Sequence, residues 1–244
     1  RPKMAIQTKS VRNALVWYDD RYTNRWLGAI GSNVVAWEMP VGLPRDDQSP
    51  YNPTRWISTT AGTNTILSST TSGDRLLITT GGTEYNGVNI QTVGSAFKIA
   101  AGKPCYFGVR LAVGDGDVGD YLLGLCEVDT ALLAVSGAHA VAVTDDGLYF
   151  YQLSTESVFK FNNELAGTIT STSTGVTTGD SIYHDFEFYY DGVSTLTAYA
   201  DGTAVVAIAT GLADQALTPS INVRAGASGA ETCAIQWMRA IQIV

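Results

Sequence analysis

Histidine is nearly missing from this 244-residue sequence: His139 and His184 are the only two, which leaves few of the usual choices for a general base or a zinc ligand. Charge is scarce too, at 16% Asp, Glu, Lys and Arg, and the balance is acidic at a formal −8, so the basic stripe of a nucleic-acid binder is lacking. Apolar runs are far shorter than a membrane span and no basic-then-apolar leader opens the sequence, so neither membrane insertion nor a retained signal peptide is expected. The three cysteines, Cys105, Cys126 and Cys233, cannot form a closed set of pairs and have no Cys-x-x-Cys spacing. Cys105 and Cys126 sit in apolar runs, where a free thiol packs as a small hydrophobe. There is no Gly-x-Ser-x-Gly elbow, Walker loop or His-Glu-x-x-His helix. These absences exclude a disulfide scaffold and leave nucleophilic or zinc catalysis without a motif.

What is present divides into two compositions. Residues 1–56 hold 8 of the 15 basic residues, 5 of the 7 prolines and 4 of the 5 tryptophans, for a net +3. The other 188 residues carry −11. Prolines at 40, 44, 50 and 53 remove donors and constrain their predecessors, so residues 40–54 read as a linker or extended arm. Between 11 and 37 the apolar residues follow no clear period, and a short helix over 11–18 is weakened by Asn13 and β-branched neighbours. Trp17, Trp26 and Trp37 need burial, either against their own domain or on a neighbouring subunit, where Trp, Tyr and Arg dominate binding energy. On the second reading, Arg12, Trp17, Tyr18, Arg21, Tyr22, Arg25, Trp26 and Trp37 form a partner-binding arm.

Beyond residue 56 the pattern is β throughout. Phe107, Val109, Leu111 and Val113 alternate, as do Ile182, His184, Phe186, Phe188 and Tyr190, with Asp185 and Glu187 on the opposite face. Further strands are predicted at 64–70, 94–100, 120–127, 138–144, 147–153, 166–172, 194–200, 203–209, 220–225 and 232–243. Asp145-Asp-Gly147, Asp191-Gly192 and Asp201-Gly202 supply turn chemistry between them. No amphipathic helix of ordinary length follows residue 56. The expected fold is all-β: a two-sheet antiparallel jelly-roll sandwich over 57–244, preceded by an extended N-terminal arm over 1–56.

The second half carries a resemblance. Tyr121-Leu-Leu-Gly-Leu125, Asp145-Asp-Gly-Leu-Tyr-Phe150, His184-Asp-Phe-Glu-Phe-Tyr-Tyr-Asp-Gly192, Ala198-Tyr-Ala-Asp-Gly202 and the closing strand 234–243 with Trp237 resemble the concanavalin A-like (LamG/lectin-type) jelly roll. In particular they resemble such domains in tailed-bacteriophage virion structural proteins. That resemblance implies a non-enzymatic capsid decoration (cement) protein, docked through its arm on the major capsid protein or another virion protein. It further implies a homo-oligomer, taken as a trimer, on the capsid surface of a virion made in the host cytoplasm. A different reading is a carbohydrate- or receptor-binding module of a tail or head fibre, with Tyr149, Tyr151, Tyr183 and Tyr189 available to stack on a cell-surface glycan.

Catalytic, cofactor and metal sites are weighed against plainer readings. The glucanase branch of this fold resembles Glu-x-Asp-x-x-Glu on a central strand, and the nearest run here is Asp185-Phe-Glu187, without the third acid. An alternating strand places its acids in water, so no catalytic residue is assigned. Gly114-Asp-Gly-Asp-Val-Gly119 matches a dinucleotide fingerprint in letters only, since no helix follows and the aspartates would repel a pyrophosphate. Asp115, Asp117 and Asp120 offer hard oxygen ligands for calcium, but a solvated turn accounts for them more simply. No cofactor, nucleic acid or membrane is expected as a partner.

Overall fold

The computed structural model describes residues 6–39, 56–69, 75–114, 118–142, 145–177, 179, 181–226 and 229–244. Every regular element among them is a strand. Strands β1 (Ile6–Val11), β2 (Ala14–Asp19) and β3 (Tyr22–Ile30) form a small antiparallel sheet of their own. The two larger sheets are antiparallel throughout. One has seven strands in the order β13 (Thr168–Thr177), β12 (Val158–Leu165), β11 (Gly147–Gln152), β10 (Gly119–Cys126), β17 (Thr218–Ala225), β8 (Gly87–Thr92) and β5 (Trp56–Ala61). The other, of eight strands, runs β16 (Thr203–Ile208), β15 (Leu196–Ala200), β14 (His184–Tyr190), β9 (Cys105–Val113), β18 (Thr232–Ile243), β7 (Arg75–Thr79) and β6 (Thr65–Ser69). Its eighth strand, β4 (Val34–Met39), continues the β7 side of β18: Thr232–Ile235 pair with β7, and Met238–Ile243 with β4.

The expected all-β jelly-roll sandwich is therefore the observed fold. Its core is the space between the two inner faces, filled by alternate residues as period-two strands require. Phe107 of β9 and Phe186 and Phe188 of β14 meet Phe150 of β11 and Phe159 and Phe161 of β12, all fully buried. Ring centroids 4.7 Å apart for Phe159 and Phe186, and 5.0 Å for Phe150 and Phe161, place these pairs in the tilted geometry that aromatic quadrupoles favour. The β15–β16 hairpin closes at Asp201 (φ 49°) and Gly202 (φ 78°), two consecutive positive angles that Asp-Gly tolerates.

Several local expectations change. Residues 11–18 form no helix: Arg12 and Asn13, both at positive φ, make the turn from β1 into β2. Residues 94–100 contribute only isolated bridges, Phe97 with Leu217 and Ala100 with Lys103. Within 138–142, Val141 makes one bridge to Leu133, and residues 143 and 144 lie outside the described residues. Asp145-Asp-Gly147 is not a tight hairpin, since β11 begins at Gly147 and pairs with β10 and β12. The proline-rich segment 40–54 also falls outside the described residues.

Candidate functional site

β14 lies between β15 and β9, and its outward-facing positions are Asp185, Glu187 and Tyr189. These acids are not in water, contrary to what alternation suggests: Glu187 is 3% exposed. The small sheet of β1–β3 covers them. Ala14, Val16 and Trp26 from that sheet bury against Tyr106, Ile241 and Ile243 on the outer face of the eight-stranded sheet. Trp26 also packs on Tyr189 with ring centroids 5.4 Å apart.

A break in the β2–β3 ladder sets the position of Arg25. Tyr18 pairs with Trp26 and the adjacent Asp19 with Tyr22, so residues 23–25 have no partners on β2. Such a bulge re-aims side chains. Arg25 Nε donates to Glu187 Oε1 at 2.6 Å and its Nη2 donates to Oε2 at 2.5 Å, a bidentate pair. Tyr106 OH donates to the same Oε1 at 2.6 Å. Gly108 stands between these groups, and a Cβ there would fall 2.3 Å from the Tyr106 hydroxyl. The missing side chain is what admits that hydroxyl.

Charges alternate outward from this pair. Arg25 Nη2 is 3.4 Å from Asp185 Oδ2, and Arg110 Nη1 donates to that oxygen at 3.0 Å. On the other flank, Arg21 donates to Asp19 through Nε at 3.0 Å and Nη2 at 2.7 Å. Burial opposes the Arg25 cation, but the Glu187 hydrogen bonds and the charges of Glu187 and Asp185 outweigh it, so its pKa lies above that of a free guanidinium. Burial and then the Glu187 charge push the Tyr106 phenol well above its ordinary range, which keeps it a donor. Asp185 Oδ1 is buried without a hydrogen-bond partner.

Two adjoining cavities flank Arg25. One, of about 170 Å³, is lined by Asn24, Tyr106, Glu187 and Tyr199 together with Arg21, Tyr22 and Arg25. The other, of about 340 Å³, shares those last three residues and adds Arg110, Asp185 and Trp237. Tyr22 stands over the Arg25 guanidinium, 4.6 Å from its ring centroid. The concavity thus brings aromatic faces, guanidinia and carboxylates together.

The eight arm residues divide between two roles. Arg21, Tyr22 and Arg25 line the cavities, and Trp26 is fully buried beneath the small sheet. Trp17 lies across Gly28, where a Cβ would come within 2.5 Å of the indole. Tyr18 stacks under the Lys9 ammonium at 4.9 Å, Arg12 occupies the β1–β2 turn, and Trp37 packs on the main core from β4. Of the three aspartates considered for calcium, Asp115 and Asp117 lie outside the described residues. Asp120 spends its oxygens on His139 Nδ1 at 2.8 Å and the Ser154 N–H at 2.7 Å. His139 thus has partners the sequence did not reveal, including Glu84 at 3.1 Å. Among the described residues no group of three or more His, Cys, Asp and Glu side chains is arranged to hold a metal. Tyr149 and Tyr151 are buried and offer no open stacking face, whereas Tyr183 lies beside the Arg110 guanidinium at 5.6 Å.

The sequence matches no protein-family model and no curated protein. Solved structures do match its fold. SCLam, a non-specific endo-β-1,3(4)-glucanase, aligns with a TM-score of 0.58 at 13% identity over 89% of this chain and 94% of its own. An endo-1,3-β-glucanase from Streptomyces sioyaensis gives 0.56 at 16% identity over 88% and 99%. The carbohydrate recognition domain of Emp47p gives 0.56 at 13% over 89% and 100%. At such identities the likeness shows the fold: a concanavalin A-like jelly roll of the kind used by glucanases and lectin domains. The matches are mainly β-glucanases, and this overturns the expectation of a non-enzymatic capsid decoration protein or fibre module. These structures show no phage association, and the exclusion of enzymatic activity is withdrawn.

Proposed function

We propose that this chain is a carbohydrate-active enzyme, a glycoside hydrolase in which Asp185 and Glu187 are the acid pair. The observation that carries this reading is their common approach to one atom. Asp185 Oδ2 and Glu187 Oε2 lie 3.4 and 2.5 Å from Arg25 Nη2, so these two oxygens are at most 5.9 Å apart, the two distances laid end to end. Carboxyl groups about 5–5.5 Å apart suit the retaining mechanism, in which one attacks the anomeric carbon and the other first protonates the leaving oxygen and then activates water. On this reading Glu187, held by the Tyr106 hydroxyl, is the nucleophile once Arg25 releases it. Asp185, beside the wider cavity, is its partner in the pair. The glucanases that share the fold support a polysaccharide substrate.

Release of reducing ends from a panel of linear polysaccharides tests this. Glu187→Gln and Asp185→Asn are each expected to lower kcat at least about 100-fold. Hydrolysis that survives both substitutions, or no cleavage of any glycan by the unaltered protein, would overturn the assignment.

A further inference from the structure

Arg25 stands between the two carboxylates, and a sugar attacked by one while protonated by the other must occupy the same space. Glu187 lines the smaller cavity and Asp185 the larger, with Arg25 common to both. Catalysis as proposed above therefore requires the Arg25–Glu187 pair to part. Its side chains are only 11% and 4% exposed, so neither charge is left to water when it does. A buried ion pair that loses one partner without replacement is strongly destabilised.

Among the described residues no carboxylate stands ready to replace Glu187. Asp19 is the next carboxylate, 4.0 Å from Arg25 Nη1. Its Oδ1 already accepts from the Arg21 N–H and Nε, and its Oδ2 from Arg21 Nη2. Asp185 is shared with Arg110. The replacement anion must come with the ligand. Arg21, Arg25, Arg110 and Asp185 line the larger cavity; Arg21 is spent on Asp19 and Arg110 on Asp185, so Arg25 is the guanidinium whose donors the exchange leaves open. A planar carboxylate matches the guanidinium fork with two parallel hydrogen bonds, as Glu187 does in the free protein.

We propose that the substrate is an acidic polysaccharide, and that a uronate carboxylate on it replaces Glu187 as the partner of Arg25. The exchange frees Glu187 only when a charged sugar is in place. A neutral glycan cannot perform it, because it brings no anion for the two guanidinium donors that Glu187 gives up. Arg25 is then a specificity-determining residue. This inference rests on the glycoside hydrolase reading and names its substrate class.

The test compares a linear polyuronate with the same polymer after its carboxyl groups are reduced to hydroxymethyl groups, which keeps backbone and linkage and removes the charge. The unaltered protein is expected to favour the polyuronate at least about 100-fold in kcat/KM, with the preference shrinking as salt rises. Arg25→Gln is expected to narrow it to below about 10-fold, by slower cleavage of the acidic polymer and faster cleavage of the neutral one. If that variant fails to fold, Arg110→Gln, at a half-exposed position on the same cavity, should weaken polyuronate binding about 10-fold in calorimetry. Equal cleavage of the two polymers by the unaltered protein would overturn the charge requirement and leave the hydrolase reading standing. Cleavage of the neutral polymer alone would do the same. If polysaccharides are neither bound nor cleaved, both fall.

Discussion

The two sheets of the sandwich hide polar side chains on their outer faces in different ways. On the seven-stranded sheet the hidden groups include four amides, Asn89, Gln91, Asn162 and Asn222, and the first two are held by the β10–β11 connection. Asn89 Nδ2 donates to the Asp129 carbonyl at 2.7 Å, Gln91 Nε2 to the Glu127 carbonyl at 2.9 Å, and Gln91 Oε1 accepts from the Asp129 N–H at 2.9 Å. Leu132 and Leu133 pack alongside on Leu122 and Tyr149. On the eight-stranded sheet the hidden groups are charges, the cover is the N-terminal sheet, and the key pair spans 162 positions of sequence. Neutral amides bonded to main chain hold a covering segment in place at modest cost. Buried charges are expensive to separate, so the second cover is also a device that a suitable anion can unlock.

The sharpest way to break this contrast is to remove one charge. Arg25→Met or Glu187→Leu is expected to destabilise the protein by about 3–5 kcal/mol, since each leaves the other ion buried without its bidentate partner. The double change Arg25→Met, Glu187→Leu should restore stability to within about 1–2 kcal/mol of the starting value. Urea denaturation of all four proteins closes the cycle. Single changes no worse than the double one would show that the pair carries no coupling. The corresponding break on the other sheet is milder: Gln91→Ala removes hydrogen bonds to Glu127, Asp129 and Ser220 and is expected to cost about 1–3 kcal/mol. Its distinctive readout is faster amide exchange confined to residues 127–142, with the N-terminal sheet unaffected.

The contrast also marks what could be read from sequence. The core face of β14, the Asp201-Gly202 hairpin and the two-sheet architecture were legible because period-two patterning and turn chemistry are local. β12 went unread because Asn162-Asn163-Glu164 resembles loop composition, although Asn162 and Glu164 lie on an outer face where they bond to Tyr149. Residues 94–100 have strand-like alternation but gain only single bridges, Phe97 to Leu217 and Ala100 to Lys103. Asp185 and Glu187 were visible as a pair, and Arg21, Tyr22 and Arg25 as residues apt for an interface. Their meeting was not, because a tryptophan-rich segment looks the same whether it docks on another subunit or on its own domain. The bulge that aims Arg25 has no sequence signature in residues 22–26.

A subtler test concerns acid. Hydrogen bonding from Arg21 is the main reason that the Asp19 carboxyl is held below the usual range, with burial opposing it. A carboxyl with a depressed pKa in the folded state adds stability above its unfolded pKa, near 3.9, and loses it as pH falls through the lower folded value. Asp19→Asn should therefore flatten the acid limb of stability against pH below about pH 4, and loosen the β2–β3 turn that carries Arg25. An unchanged acid limb would mean that Asp19 is not coupled to folding.

The smallest expected effect lies on the amide-rich face and has the opposite sign. Glu164 is fully buried; its Oε2 accepts from Tyr149 OH at 2.6 Å while Oε1 has no partner. Burial raises its pKa, and the Tyr149 hydrogen bond only partly offsets this. The folded state therefore holds the proton more tightly than the unfolded chain does. Stability falls as pH rises from the unfolded pKa of about 4.3 through the higher folded value, and stays reduced above it. Glu164→Gln keeps the shape, still accepts from Tyr149 and removes the charge, so it should stabilise the protein at neutral pH by up to about 1 kcal/mol and erase that step. A loss of stability at pH 7 would show instead that Glu164 serves the seven-stranded face as a charge. The division between an amide-bonded face and an ion-paired one would then fail at the residue where it is most exposed to test.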